Sequence, residues 1–168
     1  MNKEVISVLT IKAYAKINLF LNVVGLKDNG YHDLEMVNAK IDLADTLYFE
    51  ETFNQPAVII KSNDLFLEKE GNLLYKVAHF MMDYYALGKS VKITVDKNIP
   101  AGAGLAGNST DAAAIIKGLN QLFELNLSDS QMEQIGSKFG ADIPYCLYDK
   151  PAIVKGIGDQ IEFVKLPL

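Results

Sequence analysis

The chain has 168 residues, of which 49% are hydrophobic and 22% charged, a composition typical of one globular domain, or at most one and a half, with a core of its own. Its formal net charge of −5 argues against a nucleic-acid-binding surface, and one cysteine with two histidines excludes an internal disulfide and an ordinary structural zinc site. Apolar runs are too short to span a bilayer and residues 1–12 lack the features of a signal peptide, so we expect no membrane association and a cytoplasmic location.

The first part of the chain predicts a sheet, because runs rich in Val, Ile and Leu alternate with turn residues. The predicted strands cover residues 4–14, 16–24, 34–43, 46–51 and 58–60. Asp28-Asn29-Gly30 is a strong hairpin signal, and Ala44-Asp45 predicts a second, shorter turn.

The hydrophobic period then changes to that of helices. Apolar residues from Leu73 onward form one helical face that begins after Asn72 and ends before Gly88. Residues 90–96 alternate as a half-buried strand, and further helices begin near Asn108 and at Ser128. The short apolar stretches 143–147, 152–154 and 161–164 are interpreted as strands, so the order of elements predicts an α/β protein of the α+β type.

A glycine-rich segment, residues 99–114 with the sequence IPAGAGLAGNSTDAAA, lies between a predicted strand and a predicted helix. Small residues let a ligand approach the backbone, and the free N–H groups of the following helix favour phosphate. The hydroxyls of Ser109 and Thr110 add groups that can bond phosphate oxygens or a magnesium-bound water. The segment lacks the Gly-Lys-Ser/Thr of a Walker A loop, and the alternative is a plain strand-to-helix loop capped by Asn108 or Ser109.

Three shorter segments carry candidate functional residues. Lys16 lies inside an apolar strand, where it is either a cleft-facing ammonium or a snorkelling lysine at an edge. Asp142 is either a general base at the start of a strand or a turn residue. Tyr31 and His32 are either a pair that holds a planar ring or an exposed hairpin tip, whereas Cys146 is interpreted as a small buried hydrophobe.

The order and spacing of these segments resemble the GHMP kinase superfamily over residues 13–163. The matching segments are AKIN, GYH, an Asn-Leu before a helix, IPAGAGLAGNSTDAAA and GADIPYCL. The resemblance implies the ribosomal protein S5 domain 2-like fold, with residues 1–168 forming the N-terminal ATP-binding domain and the C-terminal domain of these kinases missing.

The resemblance also implies a reaction, in which ATP with Mg²⁺ phosphorylates the 2-hydroxyl of a cytidine diphosphate-linked methylerythritol in non-mevalonate isoprenoid biosynthesis. By resemblance, Asp142 accepts the hydroxyl proton, and Lys16 keeps that carboxylate ionised and stabilises the transferring phosphoryl group. Asn18, Tyr31 and His32 hold the substrate, and no protein metal ligand is implied. The implied nucleotide-binding positions are Asn72, Leu73, Lys97, Pro100, Ala101, Gly102, Ala103, Gly104, Leu105, Ala106, Gly107, Asn108, Ser109 and Thr110.

Two departures from the family pattern leave alternatives open. Asn108 stands where the family usually has glycine, so its side chain either tolerates a positive φ or crowds the nucleotide. Without a C-terminal domain, we expect an uncovered apolar face that favours self-association, and the activity of so short a chain stays open. The alternatives are another GHMP kinase, acting on homoserine or mevalonate, or a truncated or degenerate paralogue that binds nucleotide without catalysis.

Overall fold

The computed structural model describes residues 8–26, 30, 32–53 and 57–166. Within them, six strands form one sheet and four helices accompany it, which confirms the α+β prediction. The elements in chain order are β1 (Leu9–Leu26), β2 (His32–Thr52), β3 (Val58–Ser62), α1 (Leu73–Tyr84), β4 (Ser90–Asp96), α2 (Gly107–Leu122), α3 (Asp129–Ser137), α4 (Ile143–Cys146), β5 (Ala152–Gly156) and β6 (Gln160–Phe163). The start of the first predicted strand and the predicted Asp28-Asn29 turn lie outside the described residues.

Strand β2 lies at the centre of the sheet. It pairs antiparallel with β1 along most of its length, with β4 through residues 46–52 and with β5 through residues 34–38. Strand β3 runs parallel to β4, and β6 runs antiparallel to β5. One long strand therefore connects both halves of the molecule.

Within the described residues, the predicted strands 4–14 and 16–24 correspond to one continuous strand, β1, and the predicted strands 34–43 and 46–51 correspond to another, β2. The predicted turn at Ala44-Asp45 is therefore wrong. The ladder between β1 and β2 continues instead through three register shifts, one of which falls between Tyr14 and Lys16. A bulge of this kind bends a strand without ending its hydrogen bonding, so local turn residues do not reveal that the strand continues.

The main core lies between the sheet and helices α1 and α2. Asn72 caps α1 as predicted, because its side chain accepts a hydrogen bond from the Tyr75 amide at 2.9 Å. Helix α2 packs against β2 at Gly118, where an added Cβ would collide with the Phe49 ring. The absence of a side chain at Gly118 therefore lets α2 lie close against β2.

The stretch around Cys146 is a short helix, α4, and not the predicted strand. Pro144 lies in its first turn, where proline is favoured because the missing N–H would have no intrahelical partner. The apolar run was too short for its periodicity to separate strand from helix. Cys146 itself is buried, as predicted.

The second half of β1 is apolar and exposed. Among the described strands it pairs with β2 alone, and six of its large hydrophobic side chains are about half exposed or more: Leu19, Phe20, Leu21, Val23, Val24 and Leu26. Within the described part of the chain, no helix combines the length and the apolar character needed to cross a membrane.

Candidate active site

Lys16 and Asp142 form an ion pair, although they come from opposite ends of the chain. Lys16 Nζ lies 3.1 Å from Asp142 Oδ1. The lysine is 4% exposed, whereas the aspartate side chain is 42% exposed. The predicted proximity of the two groups is confirmed, and the carboxylate stays open to an incoming molecule.

The glycine-rich loop lies directly beside this pair. The backbone amide of Lys16 donates a hydrogen bond to the carbonyl oxygen of Leu105 at 3.1 Å. This bond joins the middle of β1 to the end of the loop. The ion pair and the loop therefore form one site.

A line of amides positions the Lys16 ammonium from the other side. Lys16 Nζ donates to Asn18 Oδ1 at 3.0 Å, and Asn18 Nδ2 donates to Asn38 Oδ1 at 2.8 Å. Asn38 is fully buried in β2, and its own Nδ2 is buried with no hydrogen-bond partner among the described residues. Asn38 was not predicted, although a polar residue within an apolar strand is the signal that could have identified it.

Of the two predicted cytosine-holding residues, only His32 is described, and it lies at the end of the β1–β2 ladder. His32 is exposed and pairs with Leu26 at the end of the ladder. Tyr31 lies outside the described residues. Two further register shifts, after Asn18 and after Val23, lie between this end of the ladder and Lys16, and such shifts bend a strand pair.

The glycine-rich loop lines an open cavity of about 460 Å³, to which every residue from Pro100 to Ser109 contributes. Gly102 and Gly104 have φ values of +72° and +73°, in the left-handed region that suits glycine. Helix α2 follows, and its N-cap, Ala106, makes no side-chain hydrogen bond. The alternative of a loop capped by Asn108 or Ser109 is therefore wrong, and the first amides of α2 are not occupied by a capping side chain.

Asn108 lies in the first turn of α2 with helical geometry and an exposed side chain. The positive φ falls instead on Ala106, at +55°. The first possibility, that Asn108 adopts a positive φ, is therefore wrong. The second possibility concerned the side chain of Asn108, which borders the cavity.

Thr110 points away from the cavity. It is 1% exposed, and its hydroxyl donates to the carbonyl oxygen of Tyr14 at 2.7 Å. The same hydroxyl accepts a hydrogen bond from Lys40 Nζ at 3.2 Å, and Lys40 also donates to Tyr14 O at 2.9 Å. The predicted phosphate contact of Thr110 is therefore wrong, because its hydroxyl joins α2 to β1. Burial lowers the pKa of Lys40.

Lys97 lies beneath the loop between two buried carboxylates. Its Nζ contacts Asp45 Oδ2 and lies 2.7 Å from Asp111 Oδ2. Burial raises the pKa of Asp111 to about 7, because desolvation outweighs the attraction of Lys97 and the Asp45 charge acts in the same direction. Burial opposes the charged form of Lys97, but the Asp111 and Asp45 carboxylates raise its pKa. Neither aspartate was predicted from the sequence.

Asn72 and Leu73 do not line the cavity. The Asn72 amide donates to Lys69 O at 2.9 Å and also to Leu67 O, and Leu73 packs against the core. Asn72 thus holds the segment whose Asp64, Phe66 and Leu67 form the opposite wall of the cavity. Phe66 is 72% exposed and belongs to no periodic run of apolar residues, so no sequence signal identified it.

The groups around the cavity suit a phosphorylated ligand. Backbone amides at the start of α2 and the Ser109 hydroxyl are donors that bind phosphate oxygens. Among the residues described, there is no group of three or more His, Cys, Asp or Glu side chains that could hold a metal ion. A divalent cation here would depend chiefly on oxygens supplied by the ligand.

Comparison with known proteins shows that this chain is similar to a group of kinases. Residues 72–150 match the family model for the GHMP kinases N terminal domain. A 4-diphosphocytidyl-2-C-methyl-D-erythritol kinase of Bacillus cereus (strain AH187) is 42% identical over 159 residues, which are 95% of this chain and 55% of that protein. The Bacillus anthracis protein of the same name matches equally well. The chain thus spans about half the length of the curated relatives it matches.

Solved structures give the same grouping. A crystal structure of 4-(cytidine 5'-diphospho)-2C-methyl-D-erythritol kinase has a TM-score of 0.81 at 30% identity, covering 95% of this chain and 56% of that one. The homoserine kinase of Cytophaga hutchinsonii has a TM-score of 0.71 at 18% identity over 99% of this chain and 54% of its own, a likeness of fold alone.

Proposed function

We propose that this chain is the N-terminal, ATP-binding part of a GHMP kinase, namely a 4-diphosphocytidyl-2-C-methyl-D-erythritol kinase. Residues 72–150 match the family model for that domain, and a kinase of that name is 42% identical over 95% of this chain, which supports the proposal. The proposed reaction transfers the γ-phosphate of ATP to the 2-hydroxyl of the cytidine-linked substrate, a step of isoprenoid biosynthesis. The observation that carries the proposal is the Lys16–Asp142 ion pair beside the glycine-rich loop. In this proposal, residues 1–168 correspond to the N-terminal domain of the enzyme.

Asp142 is the proposed general base. Its half-exposed carboxylate can accept the proton of a hydroxyl placed next to it. The buried Lys16 ammonium fixes the position of this carboxylate through the ion pair. A tertiary hydroxyl is hindered and weakly acidic, so most of the rate enhancement comes from orientation and the proton is accepted late. The Lys16 ammonium, held by Asn18, also supplies positive charge beside the transferring phosphoryl group.

The nucleotide occupies the cavity of the glycine-rich loop. Its phosphates lie against the loop backbone, the first amides of α2 and the Ser109 hydroxyl. The adenine ring lies toward the Asp64–Leu67 wall, where Phe66 offers an exposed aromatic face. Mg²⁺ when bound neutralises phosphate charge, and Ser109 is the residue placed to contact it or one of its waters.

The second substrate lies along the β1–β2 hairpin, between Asp142 and His32. Asn18 lies next to the reacting end, and Tyr31 with His32 holds the cytosine ring by stacking and hydrogen bonding. The proposed enzyme acts in the cytoplasm, where its ATP is made, and it binds neither nucleic acid nor membrane. The acidic charge of the chain supports the first of these exclusions.

A substrate panel tests the proposal. The full-length gene product is incubated with Mg-ATP and, separately, with the cytidine-linked methylerythritol, homoserine and mevalonate. Phosphorylation of the cytidine compound alone is expected. Transfer to homoserine or mevalonate would assign the chain to another GHMP kinase, and binding of Mg-ATP without any transfer would support a non-catalytic paralogue.

A further inference from the structure

Three charged side chains form a buried cluster beneath the glycine-rich loop, named here the loop clamp: Asp45, Lys97 and Asp111. The Lys97 side chain is 10% exposed, and both aspartates are fully buried. The three residues come from β2, from the residue that follows β4 and from α2. One ammonium group thus joins three separate parts of the fold.

The clamp holds both ends of the loop. At its start, Asp45 Oδ1 accepts hydrogen bonds from the amides of Asn98 and Ile99 at 2.5 and 2.8 Å. At its end, Asp111 lies on α2 and binds Lys97. The two ends also touch, because a Cβ added at Gly107 would lie 3.1 Å from Ile99 Cγ2 and 3.4 Å from Lys97 Nζ.

The middle of the loop has little support of its own. Residues 101–104 are exposed, and the Lys16 amide reaches the loop only at Leu105. Its conformation therefore depends on how its two ends are held. Pre-set backbone amides bind an anion more tightly than amides that must first be ordered.

Stability alone is a poor explanation for the clamp. Burying three charges is costly, and well-packed apolar residues of similar volume often give equal or greater stability. One oxygen of the clamp, Asp111 Oδ1, is buried and has no hydrogen-bond partner in the part of the chain that the structure describes. What the cluster supplies is a fixed distance between the sheet, the loop and α2.

We propose that the loop clamp sets the affinity of the chain for nucleotide phosphate by fixing both ends of the loop, with Lys97 acting as a positioning residue and not as a ligand of the nucleotide. This inference rests on the proposed nucleotide site. Lys97 borders the cavity of the glycine-rich loop, but under this proposal it does not contact the phosphates, whereas the loop residues that line the cavity do.

The decisive variant is Asp111→Leu, which removes the clamp's acceptor on α2, has a similar volume and leaves Lys97 in place. If the loop clamp fixes the loop, Asp111→Leu should bind Mg-ATP about tenfold more weakly than the parent, as measured by calorimetric titration. The loop clamp also predicts faster hydrogen exchange, followed by NMR, at the amides of Asn98, Ile99 and the loop, with exchange in helix α1 unchanged. If Lys97 were instead a nucleotide ligand, Asp111→Leu would keep or improve the affinity.

Two further variants serve as a replacement for Asp111→Leu and as a matched control. Asp111→Ala, which cannot clash, replaces Asp111→Leu if that chain does not fold, and the same two changes are expected. Glu50→Leu is the matched control, because it breaks another β2–β4 ion pair, Glu50 with Lys92 at 3.0 Å, away from the loop. It should leave both affinity and loop exchange unchanged.

The outcomes separate the clamp from the proposed function. Unaltered affinity and unaltered loop exchange in the Asp111 variants overturn the clamp, as does weaker binding without faster loop exchange. If the parent chain itself does not bind Mg-ATP, the proposed function fails. The exchange measurement then decides about the clamp by itself, since unchanged exchange contradicts it and faster loop exchange supports the fixing of the loop ends.

Discussion

The Lys16 ammonium is buried and the Asp142 carboxylate that it contacts at 3.1 Å is half-exposed. This asymmetry gives the two groups different roles, because the lysine can only hold and polarise whereas the aspartate can exchange a proton with a bound hydroxyl. Asn18 and Asn38 complete the support of the lysine.

Asp142→Asn should lower the rate of phosphoryl transfer by at least about 10²-fold, since the amide cannot accept the hydroxyl proton. Mg-ATP affinity should stay within about twofold, because Asp142 does not line the nucleotide cavity. Steady-state kinetics and calorimetry on the full-length gene product measure both. Asp149→Asn, an exposed aspartate close in sequence, is the control, and equal losses in the two variants would contradict a base at position 142.

Ser109 and Thr110 are adjacent hydroxyl residues with different surroundings, so their substitutions should separate binding from stability. Ser109→Ala should weaken Mg-ATP binding by about 1–3 kcal/mol with little change in the free energy of unfolding. Thr110→Val should lower the free energy of unfolding by about 1–3 kcal/mol, because Lys40 and Tyr14 O lose a buried partner. Calorimetric titration and denaturant unfolding test the pair, and the reverse assignment of effects would count against the site.

Ala106→Gly should stabilise the chain by up to about 1 kcal/mol. An alanine at φ +55° carries a steric cost of about 1–2 kcal/mol, which glycine relieves, and the more flexible unfolded chain offsets part of that gain. Ala101→Gly in the same loop is the matched control, because Ala101 has no positive φ, and it should be neutral or destabilising. Equal destabilisation of both variants in urea unfolding would show that Ala106 is not strained.

Asp111 should make the folded state less stable as the pH rises. Its pKa is about 7 in the folded protein against 3.8 as the ordinary value, so between about pH 4 and 7 the folded state holds a proton that the unfolded state has lost. The free energy of unfolding then falls by at most about 1.4 kcal/mol per pH unit, and the loss is complete above about pH 7. Asp111→Asn should remove this contribution, so the stability of the variant relative to the parent improves across that range.

Denaturant unfolding at a series of pH values measures the difference in the free energy of unfolding between the parent and Asp111→Asn. The contributions of the other titrating groups cancel in this difference. Asp42→Asn, at an exposed position of β2, serves as the control for the substitution itself. A parent-to-variant difference that is constant from pH 4 to 8 would mean that Asp111 is ionised throughout.

The exposed half of β1 should cause concentration-dependent association of the 168-residue chain with a second copy. The outer edge of β1 has no partner among the described strands, and an edge of this kind with apolar side chains on both faces is a template for pairing with another strand. Leu21→Lys should reduce the apparent mass in light scattering, whereas Phe53→Lys, an exposed apolar residue outside this strand, should not. A monomer at all concentrations in the parent chain would rule out this interface.

Local sequence determined much of this protein. Capping residues and periodicity predicted the helix starts at Asn72 and Ser128 and the glycine-rich segment between β4 and α2. These signals are short-range, so they can be identified without knowing what packs against them. The proximity of Lys16 and Asp142 is long-range, and only the family resemblance predicted it.

Only the tertiary structure decided which of these side chains face the cavity. Thr110 and Ser109 are neighbours in one motif, yet helical geometry turns Thr110 toward Tyr14 and leaves Ser109 at the loop. Asp45 looks like a turn residue in the sequence, but a bulged strand carries it under the loop to Lys97 and the amides of Asn98 and Ile99. Burial and long-range pairing set those roles, because the energy of a buried charge depends on partners that are distant in the chain.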